Sequence, residues 1–306
     1  MLRSMYAGIS GLKNFQTKLD VIGNNIANVN THGFKKSRVI FKDLYSQTVS
    51  GASGATASRG GVNPQQVGLG AQISTIDTLH GGGSTQFTGN TLDLAIEGDG
   101  FFIVADGTGP ANAPAGFTNE AYTRAGNFYM DANGYLVNGD GKYVFGFAGV
   151  PVNGVFPSGD PTPTLTTDSN GALPVGGANQ TNGPIRIPTN AQSMAIGNDG
   201  TVTFVDADGD LRYAGQLVMA QFPNPGGLQK EGGNYYQSTT NSGGAFYSVA
   251  TEQGMGTIQS GSLEMSNVDL SEEFTEMIVA QRGLQANTRI ITTSDEILQE
   301  LVNLKR

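Results

Sequence analysis

His32 and His80 are the only histidines in the chain, and cysteine is absent. That leaves no thiolate nucleophile, no disulfide and no Cys-ligated metal. Neither histidine lies close in sequence to a credible nucleophile or metal-ligand partner. Both therefore read as surface or turn residues, and acid–base or zinc chemistry is not expected. The stretch DADGD (Asp206–Asp210) begins like a calcium loop, but the pattern then needs Gly at 211 and Glu at 217, where Leu211 and Leu217 stand. A hairpin turn is the better reading. GDGFF (Gly98–Phe102) has too few glycines for a dinucleotide loop, and no phosphate-binding GxxxxGK[ST] occurs. The lack of Trp argues against a sugar cleft, and the sequon Asn179-Gln180-Thr181 reads as incidental. No catalytic, cofactor or metal site emerges.

The informative spacing is apolar. Met5, Leu12, Leu19 and Ile26 recur every seven residues, with Leu2, Ile9, Phe15, Ile22 and Val29 between them. Near the other end Leu270, Met277, Leu284, Ile291 and Leu298 repeat the period, flanked by Phe274, Ile278, Ile297 and Leu301. A seven-residue period sustained this far predicts coiled-coil helices, one at each end. Asp269 as N-cap, with Glu272 three residues on, marks the start of the second. The first fails in NNIANVNTHGFKK (Asn24–Lys36), where Asn24, Asn25, Asn28 and Asn30 crowd together. Asparagine competes for backbone hydrogen bonds and so favours helix ends. Asn28, Asn30 and Gly33 are expected to take left-handed conformations that turn the chain, with Lys35 and Lys36 facing the helix dipole. Asn25 and Asn28, set between apolar positions, are candidates for fixing register between subunits.

Charge supports a pairing of the ends. Residues 1–45 carry seven Lys and Arg against two Asp and Glu; residues 46–264 carry six against seventeen, and 265–306 four against seven. A basic first segment meeting an acidic last one explains this better than nucleic acid or a membrane surface. Helices this long need partners along their length, so both ends are expected to be helical only in an assembly.

Between the ends the character changes. Residues 46–75 are rich in Gly, Ser and Ala and read as a linker or extended loop. Residues 76–144 and 185–264 alternate short apolar runs with Asx-Gly pairs at 99, 106, 133, 140, 199 and 208, with another at 170 between them. Such pairs supply the positive φ of tight hairpins, so this is an all-β domain. Residues 145–184 are Pro- and Gly-rich and poorly patterned, an insertion loop or very small extra domain. No stretch reaches the roughly 20 apolar residues of a membrane span. Arg3, Lys13, Lys18 and Asp20 break up the start, so it is not a Sec-type signal.

Against this framework the Asn24–Lys36 stretch becomes recognisable. NNIANVNTHGFKKSR resembles the N-terminal signature of the bacterial flagellar rod and hook proteins, and SNVDLSEEFTEMIVAQRGLQANTRIITTSDEILQELVNLKR resembles their C-terminal one. LAIEGDGFF (Leu94–Phe102) and YTRAGNF (Tyr122–Phe128) resemble the family's β-domain motifs. The match follows the chain in order and fails in 145–184. The resemblance implies an α+β fold, with coiled-coil N-terminal (1–45) and C-terminal (265–306) helical segments at the core of a tube and an all-β outer domain. It implies a structural polymer rather than an enzyme, with no cofactor, assembled outside the cell in the flagellum after type III export.

Subunit contacts are expected at Met5, Ile9, Leu12, Leu19, Ile22, Asn25, Ile26 and Asn28, and at Leu270, Met277, Leu284, Ile291 and Leu298. Phe41, Leu44 and Tyr45, in FKDLY, are candidates for an export signal, or for packing. The end motifs look most like hook proteins of Bacillus-like bacteria, and the added 145–184 segment suits a hook. A hook subunit would polymerise with itself and meet the distal rod, hook-cap and hook–filament junction proteins, transmitting torque as a universal joint. A distal rod subunit is the alternative. A secreted β-domain enzyme or adhesin with multimerising ends is the reading from another class.

Overall fold

A computed structural model describes residues 2–56, 59–108, 116–149 and 180–304. They form two compact units. One gathers the chain ends, up to Val29 and from Val268, with Lys36–Leu79; the other holds Asn30–Lys35 and His80–Asn267.

The first unit is built on helices α1 (Leu2–Ala27) and α2 (Leu270–Asn303). At 1.5 Å per residue they run about 39 and 51 Å. Asp269 caps α2 as its sequence predicts, accepting from the amides of Ser271 at 2.8 Å and Glu272 at 3.4 Å. The Glu272 side chain turns to Lys36 at 2.6 Å. Helix α1 closes through Asn28, whose amide returns to the Asn24 carbonyl at 3.2 Å and whose Nδ2 reaches the same oxygen at 2.9 Å.

Strands β1 (Ser37–Asp43) and β4 (Ala71–Thr78) pair antiparallel, and β2 (Ser46–Ser50) pairs with β3 (Gln65–Gly68). Much of 46–75 is thus paired strand and not an unpaired linker. Every residue of β2 and β3 is exposed, so this ribbon has no core of its own.

The second unit is a twelve-stranded sheet with smaller two-stranded additions, antiparallel throughout. Its central strand, Leu211–Gln221, pairs with Thr201–Val205, Tyr143–Gly149, Phe101–Thr108 and Phe246–Val249. Side chains alternate across a strand, so the unbroken apolar runs fill two cores. Phe102, Val104, Leu217 and Met219 face one core with Phe128, Leu136 and Ile258. Phe101, Ile103, Val218 and Ala220 face the other with Tyr122, Phe145, Phe147 and Tyr247.

Of the Asx-Gly pairs, Gly100, Gly134, Gly141, Gly200 and Gly209 take positive φ. Gly107 instead lies within a strand, and Asn170-Gly171 is outside the described residues. The expected insertion at 145–184 is rooted on Tyr143–Gly149 and Gln180–Pro184, which pair with each other in the large sheet. Residues 150–179 lie outside the described residues.

Candidate functional site

The heptads of the chain ends meet within the single chain. Gly8 and Gly11 lie against Asn287, and Phe15 against Gly283, while Lys18 pairs with Glu276 and Asn25 with Glu273. Rising numbers in α1 meet falling numbers in α2, so the helices are antiparallel. A Cβ on Gly283 would lie 2.6 Å from the Phe15 ring, and one on Gly11 would lie 2.8 Å from Asn287 Nδ2. These glycines let the backbones approach. The seam follows two interleaved rows of α2. Met277, Leu284, Ile291 and Leu298 form the half-buried apolar row; Glu273, Ala280, Asn287 and Ser294, also seven apart, form a deeper small and polar one. That second row was visible in the spacing but is hidden from a reading that follows apolar residues alone. The apolar heptads predict helices formed only in an assembly and wound as coiled coils. The chain pairs its own two helices over a seam in which the half-buried apolar row runs beside the small and polar one.

Asn25 is the best-held member of this unit. It is 2 % exposed. Its Nδ2 donates to the Ser37 carbonyl at 2.8 Å and to Glu273 Oε2 at 3.2 Å, and its Oδ1 accepts from the Ser37 amide at 3.0 Å. It therefore ties α1, α2 and the start of β1 together inside one chain, where the sequence suggested register between subunits. Asn28 bonds locally to Asn24. The expected match of a basic first segment to an acidic last one is realised by Lys18 with Glu276 and Lys36 with Glu272.

The other expected contact residues divide. Ile22 is buried, and Met5, Leu12, Leu19 and Ile26 are half-buried. Ile9 and Leu270 are exposed. So are Phe274, Ile278, Ile290, Ile297 and Leu301. At 100° per residue, Leu270, Phe274 and Ile278 fall on one flank of the α2 seam and Ile290, Ile297 and Leu301 on the other. Of the FKDLY residues, Phe41 packs near Phe15, with ring centroids 6.1 Å apart, and the Leu44 amide bonds to the Gly70 carbonyl at 2.8 Å. Tyr45 is 90 % exposed.

In the β unit, Lys35 is not a dipole-facing surface cation. It is fully buried, with Nζ 2.5 Å from Glu264 Oε1 and 2.9 Å from the Gly81 carbonyl. Arg124 reaches Glu264 Oε2 at 3.3 Å and the Gly98 carbonyl at 2.8 Å. Burial lowers the Lys35 pKa and the nearby Arg124 charge adds to this, while Glu264 opposes both. Residues Asn30–Lys35 are held from several sides. The Gly33 amide bonds to the Glu264 carbonyl at 2.8 Å, Asn234 donates to the His32 carbonyl at 3.0 Å, and Lys230 Nζ sits 4.8 Å over the Phe34 ring. Gly33 alone takes the left-handed conformation expected also of Asn28 and Asn30, at φ +70°, and a Cβ there would strike Ala125 N at 2.6 Å.

His80, expected at the surface, is packed edge-on against Phe101 and Tyr236, with centroids 5.6 and 5.2 Å away. Burial, then the Lys35, Arg124 and Lys230 charges, lower its pKa to about 4. Nothing in sequence spacing joins Lys35, His80, Arg124 and Glu264; only the fold brings them together. The described residues contain no grouping of three or more His, Asp or Glu suited to a metal.

Comparison with known proteins adds the last link. The family described as "Flagella basal body rod protein" matches residues 5–35, "Flagellar hook protein FlgE/F/G D1 domain" matches 95–204, and "Flagellar basal body rod FlgEFG protein C-terminal" matches 259–304. The chain is 54 % identical over 309 residues, spanning the whole of both chains, to the flagellar basal-body rod protein FlgG of Bacillus subtilis. It is 33 % identical over 451 residues, again spanning both chains, to the flagellar hook protein FlgE of Borreliella burgdorferi, and 34 % identical over 310 residues to that organism's FlgG, with the same full coverage. With its helical ends, its β unit and these full-length relatives, the chain belongs to the flagellar rod and hook protein family.

Proposed function

We propose that this chain is a distal rod subunit of the bacterial flagellum, self-assembling into the tubular axle that carries torque outward. The exposed apolar side chains on both flanks of α2 carry the reading. Six large apolar side chains, each 39–59 % exposed, forgo roughly half of the 1.5–3 kcal/mol that full burial gives. Their division between two flanks suits a helix with a neighbour on each side. The β2–β3 ribbon supports the same reading, because an isolated two-stranded hairpin is marginal in water, and Tyr45, Val49, Val62 and Val67 are exposed on or beside it. Of the residues expected at subunit contacts, Ile9 and Leu270 stay available to a neighbour. The half-buried rows serve the pairing of the two helices within the chain.

The rod takes precedence over the hook that the end motifs suggested because of length. The 54 % identical FlgG aligns over 309 residues, whereas the 33 % identical hook protein needs 451. This chain, at 306 residues, matches the rod relative without large insertions. Its partners would be further copies, the neighbouring axial proteins and the flagellar type III export apparatus, with FKDLY as an export signal. Electron microscopy of basal bodies from a strain lacking the gene tests the reading. A rod cut short within the envelope is the expected result. A complete rod lacking only its hook would restore the hook reading, and intact flagella would overturn both.

A further inference from the structure

The chain passes between the two units after residues 29, 35, 79 and 267. The three stretches of the β unit beside these places, 30–35, 80–84 and 262–267, meet on one residue. The Glu264 carbonyl accepts from the Gly33 amide at 2.8 Å, and its Oε1 accepts from Lys35 Nζ at 2.5 Å and from the Gly83 amide at 3.0 Å. Gly83 and Lys35 lie 181 and 229 residues from Glu264 in sequence. Arg124 holds the second carboxylate oxygen and ties the group to the Gly98 carbonyl. The stretches also bond to one another. Lys35 Nζ and Asn267 Nδ2 both donate to the Gly81 carbonyl, at 2.9 and 3.2 Å, and the Met265 amide donates to the Ser84 carbonyl at 2.8 Å. Their backbones touch, since a Cβ on Gly83 would lie 2.1 Å from the Met265 carbonyl oxygen.

What holds these stretches differs from what holds the sheet. None of their residues belongs to either apolar core. Residues 262–264 pair with 85–87 in a two-stranded sheet apart from the twelve-stranded one. Their hold is thus largely polar and buried, and such a hold is all-or-none. Withdrawing one stretch leaves a buried charge or backbone group of the others unpaired. We propose that Glu264 is the hub of a clasp that joins the three stretches into one cooperative unit, opening and closing as a whole and separately from the large sheet. Closing it fixes in one step every place where the chain leaves the β unit. Opening it frees the segments that lead to α1 and α2 together, with the sheet intact. The clasp belongs to the single chain, so it stands or falls apart from the self-assembly reading.

Native-state hydrogen exchange on the whole chain as a monomer, in low urea, tests the clasp. The Gly33, Gly83 and Met265 amides, one from each stretch, are expected to share one opening free energy and one urea dependence. Both should be smaller than those of the amides in the central strand, Leu211–Gln221. Three separate values, or values equal to the central strand's, overturn the proposal. The mild variant Asn234→Gly gives a second reading, because the Asn234 side chain reaches the first stretch at the His32 carbonyl. Asn234 stands at φ +64°, which glycine accepts without strain. A cooperative unit spreads this local loss, so exchange at Gly83 and Met265 should quicken by the same factor as at Gly33, about 3–10-fold. Quickening at Gly33 alone overturns the proposal. Glu264→Gln should quicken all three by at least ~100-fold. Protection that survives at any one of them overturns Glu264 as the hub.

Discussion

Asn25, Glu264 and His80 each place a polar group where water is excluded, and each has a measurable consequence. Asn25→Ala removes three hydrogen bonds, two of them to the Ser37 backbone and one to Glu273. The expected loss is about 1–3 kcal/mol, read as an earlier urea transition in the helical signal. Glu264→Gln leaves Lys35 and Arg124 buried without their counter-charge. Breaking a buried pair by removing one partner costs about 3–5 kcal/mol, so the β unit should unfold at markedly lower denaturant. For His80 the sign follows from linkage. The folded state holds the ring neutral down to about 4, while an unfolded histidine takes its proton near its ordinary value of 6.5. The unfolded state thus binds more protons between these limits. Stability is complete above about 6.5 and falls as pH drops toward 4, by up to about 3 kcal/mol. His80→Gln should flatten this part of the stability–pH curve measured by denaturant unfolding.

At the scale of elements, α2 has two jobs on separate faces. Its seam of Glu273, Ala280, Asn287 and Ser294, with the apolar row beside it, holds α1. Its flanks remain apolar and open, with Ile278 59 % exposed. Ile278→Asp therefore tests assembly without touching the seam. The variant should keep the wild-type helical signal as a monomer, yet fail to build rods in cells, giving non-motile colonies and shortened basal bodies. A motile strain with normal rods would show that this flank faces solvent. Seam variants such as Leu284→Asp are less discriminating, because they disturb the helix pair within the chain as well as any neighbour.

For the whole molecule, burial is unequal between the units. Among the described helix residues, Ile22 and Ala280 are the buried apolar side chains, whereas the β unit fills two cores with fully enclosed aromatic and aliphatic residues. Hydrophobic stabilisation scales with area removed from water, at about 25 cal/mol per Å². The helices should melt at lower denaturant than the β unit in the monomer. Far-UV helical signal lost before the near-UV tyrosine signal is the expected order, and a single shared transition would contradict it. On the proposed self-assembly, neighbouring copies would cover the apolar flanks of these helices and supply the missing stabilisation.

Much of this protein was legible in its sequence because the signals are local. Heptad spacing placed both helices, Asp269 marked the start of α2, and Asx-Gly pairs marked the hairpin turns at 133, 140, 199 and 208, since each depends on a few neighbouring residues. The family was legible for the same reason: its signatures are contiguous stretches at Asn24–Arg38, Leu94–Phe102, Tyr122–Phe128 and in the last helix. Tertiary structure decided what contiguous patterns cannot encode. It paired the helices with each other, turned Asn25 inward to Ser37 and Glu273, made strands of 46–50 and 65–68, and buried Lys35 beside Glu264 and Arg124. Lys35 and Glu264 lie 229 residues apart. Spacing has no period at that distance, and only the return of the β unit's ends to one place brings the two charges into contact, where exclusion of water makes their pairing strong.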